Sequence, residues 1–435
     1  MVARLKRDKS HDHIYDDFCS VVAKFSRKAI PFLSSFALIV PAPVFAGAFG
    51  IQDISAQGEG VALAGAAAGS AGLGSIFFNP ATITQFDGIQ AHINSTLIIP
   101  DARMEIQSSS SPAYANYTSF MGGSSSSGNI GLTGAIPSAQ INDKLSVGFG
   151  LRYLDFSARY SSAIPAVASP DQWGIAGIDG GGQALGYSLG FLYKPLQGTE
   201  IGFGYRSETS VKLQGDFFGG GALAANFGGS AALASSTLDQ PVNISVQLPR
   251  SYTLGLSQKI NADWTGLATF EYVQWSSLKA PQVSYAQSGS NVATSWTAGQ
   301  SHLALPAIPL YYRDAWFASF GAEYHYSDET QFRTGLAYEK TPLGQNAQST
   351  RLPDSNRLFA SLGLTYWIDP QWSVDLAYLH IFMLGNSVKI NSNSTGYSQN
   401  LAAAGLGTLN AKVANRVEIV SVGLTYKFDT GPKSR

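Results

Sequence analysis

The chain has 435 residues, a formal net charge of −1, 13% charged side chains and one cysteine, Cys19. A near-neutral chain without a basic excess gives no reason to expect a nucleic-acid partner, and a single cysteine excludes an internal disulfide framework. Because charge is this scarce while aromatic residues make up 12% of the chain, a membrane protein has to be considered.

Residues 1–46 have the pattern of a secretory signal with a long n-region. Basic residues at 24–28 precede the uncharged run 29–40, and Val44-Phe45-Ala46 presents small residues at the two positions that a signal peptidase reads. A membrane anchor is the alternative, but the run is shorter than the ~20 apolar residues of a transmembrane helix. We therefore predict cleavage after Ala46, which would also remove Cys19.

Residues 47–87 form a glycine- and alanine-rich stretch with few charges. Such a stretch is too small-sided to build its own core and too apolar for a solvated linker, so we predict a plug held inside something larger. Asn79-Pro80-Ala81 predicts a rigid corner, because proline fixes one φ angle and the asparagine side chain can bond nearby backbone. A surface turn is the alternative for this triplet.

Beyond the plug, residues 88–428 alternate between apolar and polar side chains. In the last stretch Val420, Val422 and Leu424 share one face, and Ser421 and Gly423 share the other. No window there holds 18 consecutive apolar residues, which excludes helical membrane spans and leaves a closed barrel. A soluble sandwich would alternate too. The barrel is favoured because the second face is small and polar, and because Trp and Tyr mark strand ends like an interfacial girdle.

Short turns and long connections alternate along the chain, as expected of a barrel with tight turns at one rim and loops at the other. Tight turns are predicted at 142–143, 197–198, 261–263, 328–330 and 369–371, and long loops at about 107–128, 161–183, 217–247, 279–314, 341–355 and 384–414. The fold class is therefore all-β, a transmembrane antiparallel β-barrel of about 12 strands with an N-terminal helical or irregular plug in the lumen, followed by a tail, 429–435. The strands are predicted at roughly 88–106, 129–141, 144–160, 184–196, 199–216, 247–260, 264–278, 315–327, 330–340, 356–368, 371–382 and 416–428.

Short motifs in the plug and in the second half of the barrel match, in order, those of a known family. They are Gly47-Ala48-Phe49, Gly58-Glu59-Gly60, Asn79-Pro80-Ala81, Leu248-Pro249, Gln274-Trp275-Ser276, Tyr312-Arg313-Asp314-Ala315, Phe332-Arg333-Thr334-Gly335, Leu352-Pro353-Asp354 and Ser387-Val388-Lys389-Ile390-Asn391. The chain thus resembles the outer-membrane long-chain fatty acid transporters of the FadL type. That family has barrels of about 14 strands, so either this barrel is smaller or a weak hairpin lies between residues 160 and 184.

The resemblance implies a protein of the bacterial outer membrane, surrounded by lipid and inserted by the barrel-assembly machinery. It implies passive uptake of long-chain fatty acids or similar hydrophobic compounds through the plugged barrel, with lateral release, and it implies no enzyme and no cofactor. An aromatic hydrocarbon channel is the nearest alternative, and an adhesin-like or structural barrel and a membrane-embedded hydrolase are the more distant ones.

Two motifs that could indicate other chemistry have structural explanations. Gly186-Tyr187-Ser188-Leu189-Gly190 spells a nucleophile elbow, but it lies inside a predicted strand, whereas the elbow needs a strand, a sharp turn and a helix. The histidines beyond residue 46 have no metal-ligand spacing, so no metal site is predicted.

The resemblance also assigns substrate-binding candidates. Arg313 matches a basic position that meets the polar head of the ligand, with a rim charge paired to Asp314 as the alternative. Arg159 is a second basic candidate, and Phe49 matches the end of the plug that reaches into the same pocket. The long loop 217–247 carries an uncharged apolar stretch, which predicts a landing surface for substrate or, alternatively, packing between loops; its candidates are Phe217, Phe218, Leu223 and Phe227.

Gating candidates come from both the plug and the wall. Asn79, Pro80 and Ala81 would hold the plug against the wall. Gly148 and Gly150 are predicted to kink the strand beside the lateral exit, because glycine tolerates bends in strands.

Overall fold

A computed structural model describes residues 55–110, 118–122, 125–129, 138–166, 169–221, 238–278, 282–285, 312–348, 354–385, 387–394 and 408–428. Two short helices, α1 (Ala56–Gly60) and α2 (Ser75–Phe78), and turns of 3-10 helix at Ala66–Ala68, Gly72–Gly74 and Pro80–Gln85 precede the first strand. Further 3-10 turns lie at Trp275–Ser277 and Gln345–Ala347. None of the described helices is long and apolar enough to cross a bilayer.

The rest of the described chain is dominated by antiparallel strands of one sheet. They are β1 (Ile89–Ser109), β2 (Thr118–Gly122), β3 (Ser125–Asn129), β4 (Ala139–Asn142), β5 (Leu145–Ala166), β6 (Ser169–Tyr193), β7 (Thr199–Arg206), β8 (Thr209–Gly221), β9 (Leu238–Leu248), β10 (Ser251–Lys259), β11 (Trp264–Val273), β12 (Gln282–Tyr285), β13 (Ala315–Ser327), β14 (Thr330–Glu339), β15 (Arg357–Trp367), β16 (Trp372–Met383), β17 (Ser387–Ile390) and β18 (Leu409–Phe428).

Several strands that follow one another in the chain are pieces of one pass across the wall, because together they fill the place between the same two neighbouring passes. These are β2–β4, β7–β8, β9–β10, β11–β12 and β16–β17, so the described strands make twelve passes. Each pass pairs with the next, and β18 pairs with β1 from Ile89–Phe428 to Ser109–Leu409. The last pass therefore pairs with the first, which closes the sheet into a barrel, and the predicted fold class is confirmed.

The predicted tight turns all lie at one rim, where β1 begins and β18 ends; we call this the lower rim. The predicted long loop 161–183 was wrong. Four other predicted loops were too wide, because described strand residues lie inside 107–128, 217–247, 279–314 and 384–414. Residues 161–183 mostly extend β5 and β6, which pair from Leu145–Tyr193 to Pro165–Trp173, and β8 and β9 likewise pair as far as Gly219–Leu238. Glycine and serine have low strand propensity, but pairing with a neighbouring strand outweighs it here. The stretch between 160 and 184 thus lengthens two strands instead of adding a hairpin.

The outer face carries the apolar residues that alternation predicts. Phe320 is 70% exposed, Leu362 63% and Ile93 57%, and each lies between strand neighbours that point inward. Large apolar side chains exposed around a closed wall are the expected surface of a barrel in lipid.

Candidate functional site

The stretch 55–87, which we call the hatch, lies inside the barrel and touches the wall on many sides. Glycines on the inner face of the wall make room for its backbone. A Cβ placed on Gly202 would collide with the carbonyl oxygen of Ala67, and one on Gly204 with that of Phe78. The same close approach recurs at other wall glycines, namely Gly148, Gly190, Gly255, Gly335 and Gly363. The hatch therefore fits the wall at van der Waals distance on β5, β6, β7, β10, β14 and β15.

The hatch corner at Asn79 ties the plug to one side of the wall. The Asn79 side chain accepts a hydrogen bond from Ala81 N at 3.0 Å, and its amide donates to the carbonyls of Ala67 at 2.7 Å and Phe191 at 2.9 Å. Ser138 Oγ donates to the Pro80 carbonyl at 3.1 Å. The corner is buried against β6 and does not lie on the surface.

Buried polar groups hold the opposite side of the hatch. Glu59, 1% exposed, accepts hydrogen bonds from Thr96 Oγ1 on β1 and Ser421 Oγ on β18. Gln57 donates to both carboxylate oxygens of Asp375 at 3.0 Å. A buried carboxylate is stable only when such donors satisfy it, so these bonds fix the position of α1.

The hatch backbone is strained where it turns between these two anchors. Ala62 and Leu63 adopt φ angles of 48° and 63°, in the left-handed region that costs a side-chain-bearing residue about 1–2 kcal/mol. The wall stabilises this geometry: Val61 lies against Gly335, and Gly65 N donates to the Ala268 carbonyl at 3.1 Å. Strain of this kind persists only where the surroundings enforce it.

Above the hatch, the inner face of the wall changes from polar to apolar. On β18 the inward residues near the lower rim are Ser421 and Thr425, whereas higher up they are Ile419, Val417 and Val413. The outward residues change in the opposite sense at the same height, from Val420 to Glu418, Arg416 and Lys412. β1 shows the same exchange, because inward Thr96 is followed by inward Ile98, which pairs with Ile419. The register across the exchange is unbroken.

The apolar inner residues gather directly above the hatch in what we call the upper cluster. Leu63 and Ala62 of the hatch contact it from below, so the hatch forms its floor. Its members from the wall are Ile98, Phe317, Ala337, Leu379, Ile381, Val417 and Ile419, with Phe359 and Met383 at its margin. Further up, β8 and β9 turn Val211, Leu213, Val242 and Ile244 inward, and β17 and β18 do the same with Val388, Ile390, Leu409 and Ala411.

Charged side chains border this apolar surface on the inner wall. Arg206 forms an ion pair with Glu271, whose cross-strand neighbour is Phe317 of the upper cluster. Arg152 on β5 donates from Nη2 to the Ser207 carbonyl at 2.9 Å, while its Nε is buried without a partner among the described atoms. An apolar surface with a basic group at its edge suits a molecule that has a long apolar part and an anionic end.

The sequence comparison is decisive at this point. Residues 37–139 and 113–428 match the family described as "Outer membrane protein transport protein (OMPP1/FadL/TodX)". This chain belongs to that family. The FadL/TodX-type protein described here is thus an outer-membrane transport protein, and by the usual orientation of such barrels its lower rim with short turns faces the periplasm.

Individual relatives agree with this assignment. A long-chain fatty acid transport protein of Salmonella typhi is 24% identical, covering 81% of this chain and 91% of that protein. A Pseudomonas aeruginosa FadL homologue of known structure has a TM-score of 0.66 at 20% identity, covering 86% of this chain and 98% of that one. The Pseudomonas putida toluene transporter TodX has a TM-score of 0.55 at 16% identity, covering 83% and 95%. At these identities the structures show a shared fold.

Arg313 of the FadL/TodX-type protein lies just before β13 at the upper rim, and its side chain is exposed against Gly344. The neighbouring Asp314 accepts hydrogen bonds from Ser276 N at 3.0 Å and from Tyr272. Burial by itself would raise the pKa of Asp314, but the hydrogen bonds from Ser276 and Tyr272 outweigh it and hold that pKa below its ordinary value. Asp314 is thus occupied by partners other than Arg313, and a ligand role for Arg313 stays a prediction.

Gly148 and Gly150 lie on the inner face of β5 beside the hatch. Their pairing with β6 is regular, and a Cβ on Gly148 would collide with the backbone of Pro80 and Ala81. The structure thus gives Gly148 a role in seating the hatch. Ser188 lies in the middle of β6 with its side chain buried near Gly150, so the local chain has no strand-turn-helix elbow.

The remaining predicted site residues are described only in part. Backbone positions are available for Arg159 on β5 and for Phe217 and Phe218 on β8, but their side chains lie outside the described part of the chain, as do Phe49, Leu223 and Phe227 altogether. Sequence reasoning missed Arg152, Arg206 and the upper cluster. The signal for the cluster was present in β18, where charged residues face outward and apolar residues face inward before Val420, and the apolar residues face outward from Val420 on.

Proposed function

We propose that this protein carries long-chain fatty acids, or hydrophobic molecules of similar shape, passively across the outer membrane. The observation that carries the proposal is the exchange of polarity on the inner wall, which places clusters of apolar side chains above a polar-anchored hatch. An aqueous channel would keep polar side chains along its whole lumen. An apolar lumen that begins above the membrane belt favours cargo that leaves water readily.

Arg152, which lies beside the Arg206–Glu271 pair, supports a cargo that carries an ionised carboxylate at one end. Arg206 is paired with Glu271, whereas the Arg152 guanidinium bonds to the Ser207 carbonyl and forms no ion pair among the described residues, which leaves it suited to a ligand carboxylate. The relative from Salmonella typhi is named a long-chain fatty acid transport protein, which agrees with this cargo. Uptake of aromatic hydrocarbons is the second candidate, favoured by the likeness of the barrel to a toluene transporter.

Release into the membrane is supported by the wall next to β5. β4 pairs with β5 only over Ala139–Asn142 and Leu145–Val147, and the described parts of β2 and β3 pair with β1 alone. Among the described residues, β2 and β3 have no pairing with β5, while residues 130–137, which lead from β3 to β4, lie outside the described part of the chain. We propose that cargo leaves sideways here, after the hatch shifts.

The surroundings of the barrel are part of the proposal. The exposed apolar belt would face outer-membrane lipid, and the terminal aromatic residue of β18, Phe428, stacked edge-on against Tyr426, would present the signal for the barrel-assembly machinery. We expect no enzymatic step in transport.

The test is uptake into vesicles that contain the purified protein and trap a fatty-acid-binding protein inside. Oleate should enter vesicles that contain the full protein at least five times faster than vesicles that contain the same barrel without residues 47–87. This is expected if the hatch and the lumen together form the route for oleate. The barrel without the hatch should instead let small polar dyes pass. Oleate entry no faster than in protein-free vesicles would refute transport of fatty acids. Fast entry of toluene with no entry of oleate would favour the second candidate.

A further inference from the structure

We propose that Arg206 is a positioning residue through which an ionised ligand head group, and not an uncharged one, loosens the hatch. The inference rests on the proposed function, and it concerns how the charge of the cargo changes the contact between the hatch and the wall. Arg206 ends β7 on the inner wall, and its side chain is buried between the wall and the hatch.

On the wall side, two groups hold the Arg206 guanidinium. Its Nε donates to Ser251 Oγ at 2.7 Å, and its Nη2 pairs with Glu271, whose side chain is 1% exposed. An arginine side chain has five N–H donors in a planar fork, so these two partners leave further donors for a second carboxylate.

On the hatch side, the same guanidinium lies over two aromatic rings. Its Cζ is 4.4 Å from the centroid of the Phe77 ring and 5.7 Å from that of Phe78. The two rings meet edge to face at 5.2 Å, and the Phe78 carbonyl lies against Gly204, two residues before Arg206. This is where α2 of the hatch rests on β7.

A cation over a ring face is attracted only while the two stay within about 6 Å of each other. A ligand carboxylate that draws the guanidinium toward Arg152 and the lumen would therefore weaken the contact with Phe77. Oleyl alcohol has the same apolar chain as oleate but no charge to pair with Arg206. The two ligands should thus bind the same apolar surface with different effects on the hatch.

The experiment measures the accessibility of a cysteine in the hatch. Leu73→Cys, in a Cys19→Ala background, gives the full chain a single thiol next to α2, and its reaction with a bulky maleimide is followed in lipid vesicles. We expect oleate to accelerate labelling at least fivefold and oleyl alcohol less than twofold. Displacement of a fluorescent hydrophobic probe shows separately that each ligand is bound.

Arg206→Gln combined with Glu271→Gln removes both charges together, because the single change would leave a buried carboxylate unpaired. This double variant should label equally with either ligand, whereas Arg206→Lys, which keeps a cation, should retain part of the difference. Arg250→Gln is the matched control, since Arg250 pairs with Glu208 away from the hatch, and it should behave like the parent protein. The resistance of each folded barrel to unfolding by detergent before heating confirms assembly.

Two results would overturn the inference: equal acceleration by oleate and oleyl alcohol in the parent protein, or a difference that survives in the double variant. If neither ligand displaces the probe from the parent protein, the proposed function itself fails, which is a separate outcome.

Discussion

The lower and upper halves of the lumen are built from the same strands and differ in almost every physical respect. Below, glycines and hydroxyl-bearing side chains hold the hatch through direct backbone contact and hydrogen bonds, as at Gly204 and Ser421. Above, branched and aromatic side chains such as Ile381 and Phe317 line the wall. The lower half thus binds a segment of the protein itself, and the upper half is suited to a transient apolar ligand.

The difference arises without any change in the path of the chain. The β1–β18 register runs unbroken from Ile89–Phe428 past Ile98–Ile419, and its one shift comes later, between Ile106 and Ser108. A slip of one residue would have turned each following side chain to the other face. Because no slip occurs at Ile98, the exchange of polarity arises from the identity of the residues and not from a change of register. It can therefore be tested by substitution.

Filling a wall glycine should damage the lower half most. Gly204→Val would drive a side chain into the Phe78 carbonyl, so we expect folded barrel to fall at least tenfold or the hatch to be expelled. Folded barrel is measured by heat-modifiable migration on gels, and expulsion by entry of large antibiotics. Gly266→Val is the control, since the atom nearest to a Cβ there is Ile260 Cδ1 at 3.4 Å, an ordinary van der Waals contact. Normal folding and a tight barrel for Gly204→Val would show that the close fit is unnecessary.

A polar residue in the upper half should weaken ligand binding, which is measured on protein whose barrel has been shown to fold. Ile381→Asn replaces an apolar side chain worth about 1.5–3 kcal/mol when buried against a ligand, so oleate affinity should drop about tenfold or more. His380→Asn, the neighbouring residue on the outer face, should leave affinity unchanged. Equal binding by Ile381→Asn would mean that the upper cluster is not the binding surface.

The basic residues offer a finer test of where the head group lies. Hydrogen bonds to a charged group contribute about 1.5–3 kcal/mol. Arg152→Gln should therefore weaken oleate binding about tenfold and leave oleyl alcohol binding unaltered. Arg313→Gln should change oleate binding less than twofold if the head group lies at Arg152. A loss confined to Arg313→Gln would instead place the head group at the upper rim.

The smallest effect is expected at the hatch corner. Asn79→Ala removes hydrogen bonds to the Ala67 and Phe191 carbonyls, each worth about 0.5–1.5 kcal/mol, so amide exchange within 55–87 should become about fivefold faster. Gln90→Ala, which removes an exposed bond to the Asp87 carbonyl, serves as the control. Unchanged exchange would show that the wall glycines hold the hatch without this corner.

Much of the fold follows from local rules. Alternation in β18 and the tight turn at Asn142 depend only on neighbouring residues, and both were predicted from the sequence. The length of β5 and β6 could not be, because the serine-containing upper part of β5 and the glycine-rich upper part of β6 form strand only through pairing with each other. Local propensity does not contain that information.

The candidate site was less predictable for a similar reason. The contact between Arg206 and Phe77 joins residues far apart in sequence, and the residues around each of them give no sign that the two are in contact. Gly148 was predicted to bend a strand. A glycine in a strand can mark either a bend or the close approach of another backbone, and the sequence alone does not distinguish the two. The exchange of charged and apolar residues between the two faces of β18 is visible in the sequence at Glu418, Ile419 and Val420. It becomes evident only when the alternation is followed along the whole strand.

Glu59 bonds at the same time to Thr96 on β1 and to Ser421 on β18, and these are the two strands that meet to shut the cylinder. The hatch therefore contacts the wall along the line where the first and last strands pair. Because one carboxylate bonds to both strands, parting them there would break hydrogen bonds to the hatch as well as those between the strands. The hatch thus adds to the closure of the barrel that contains it.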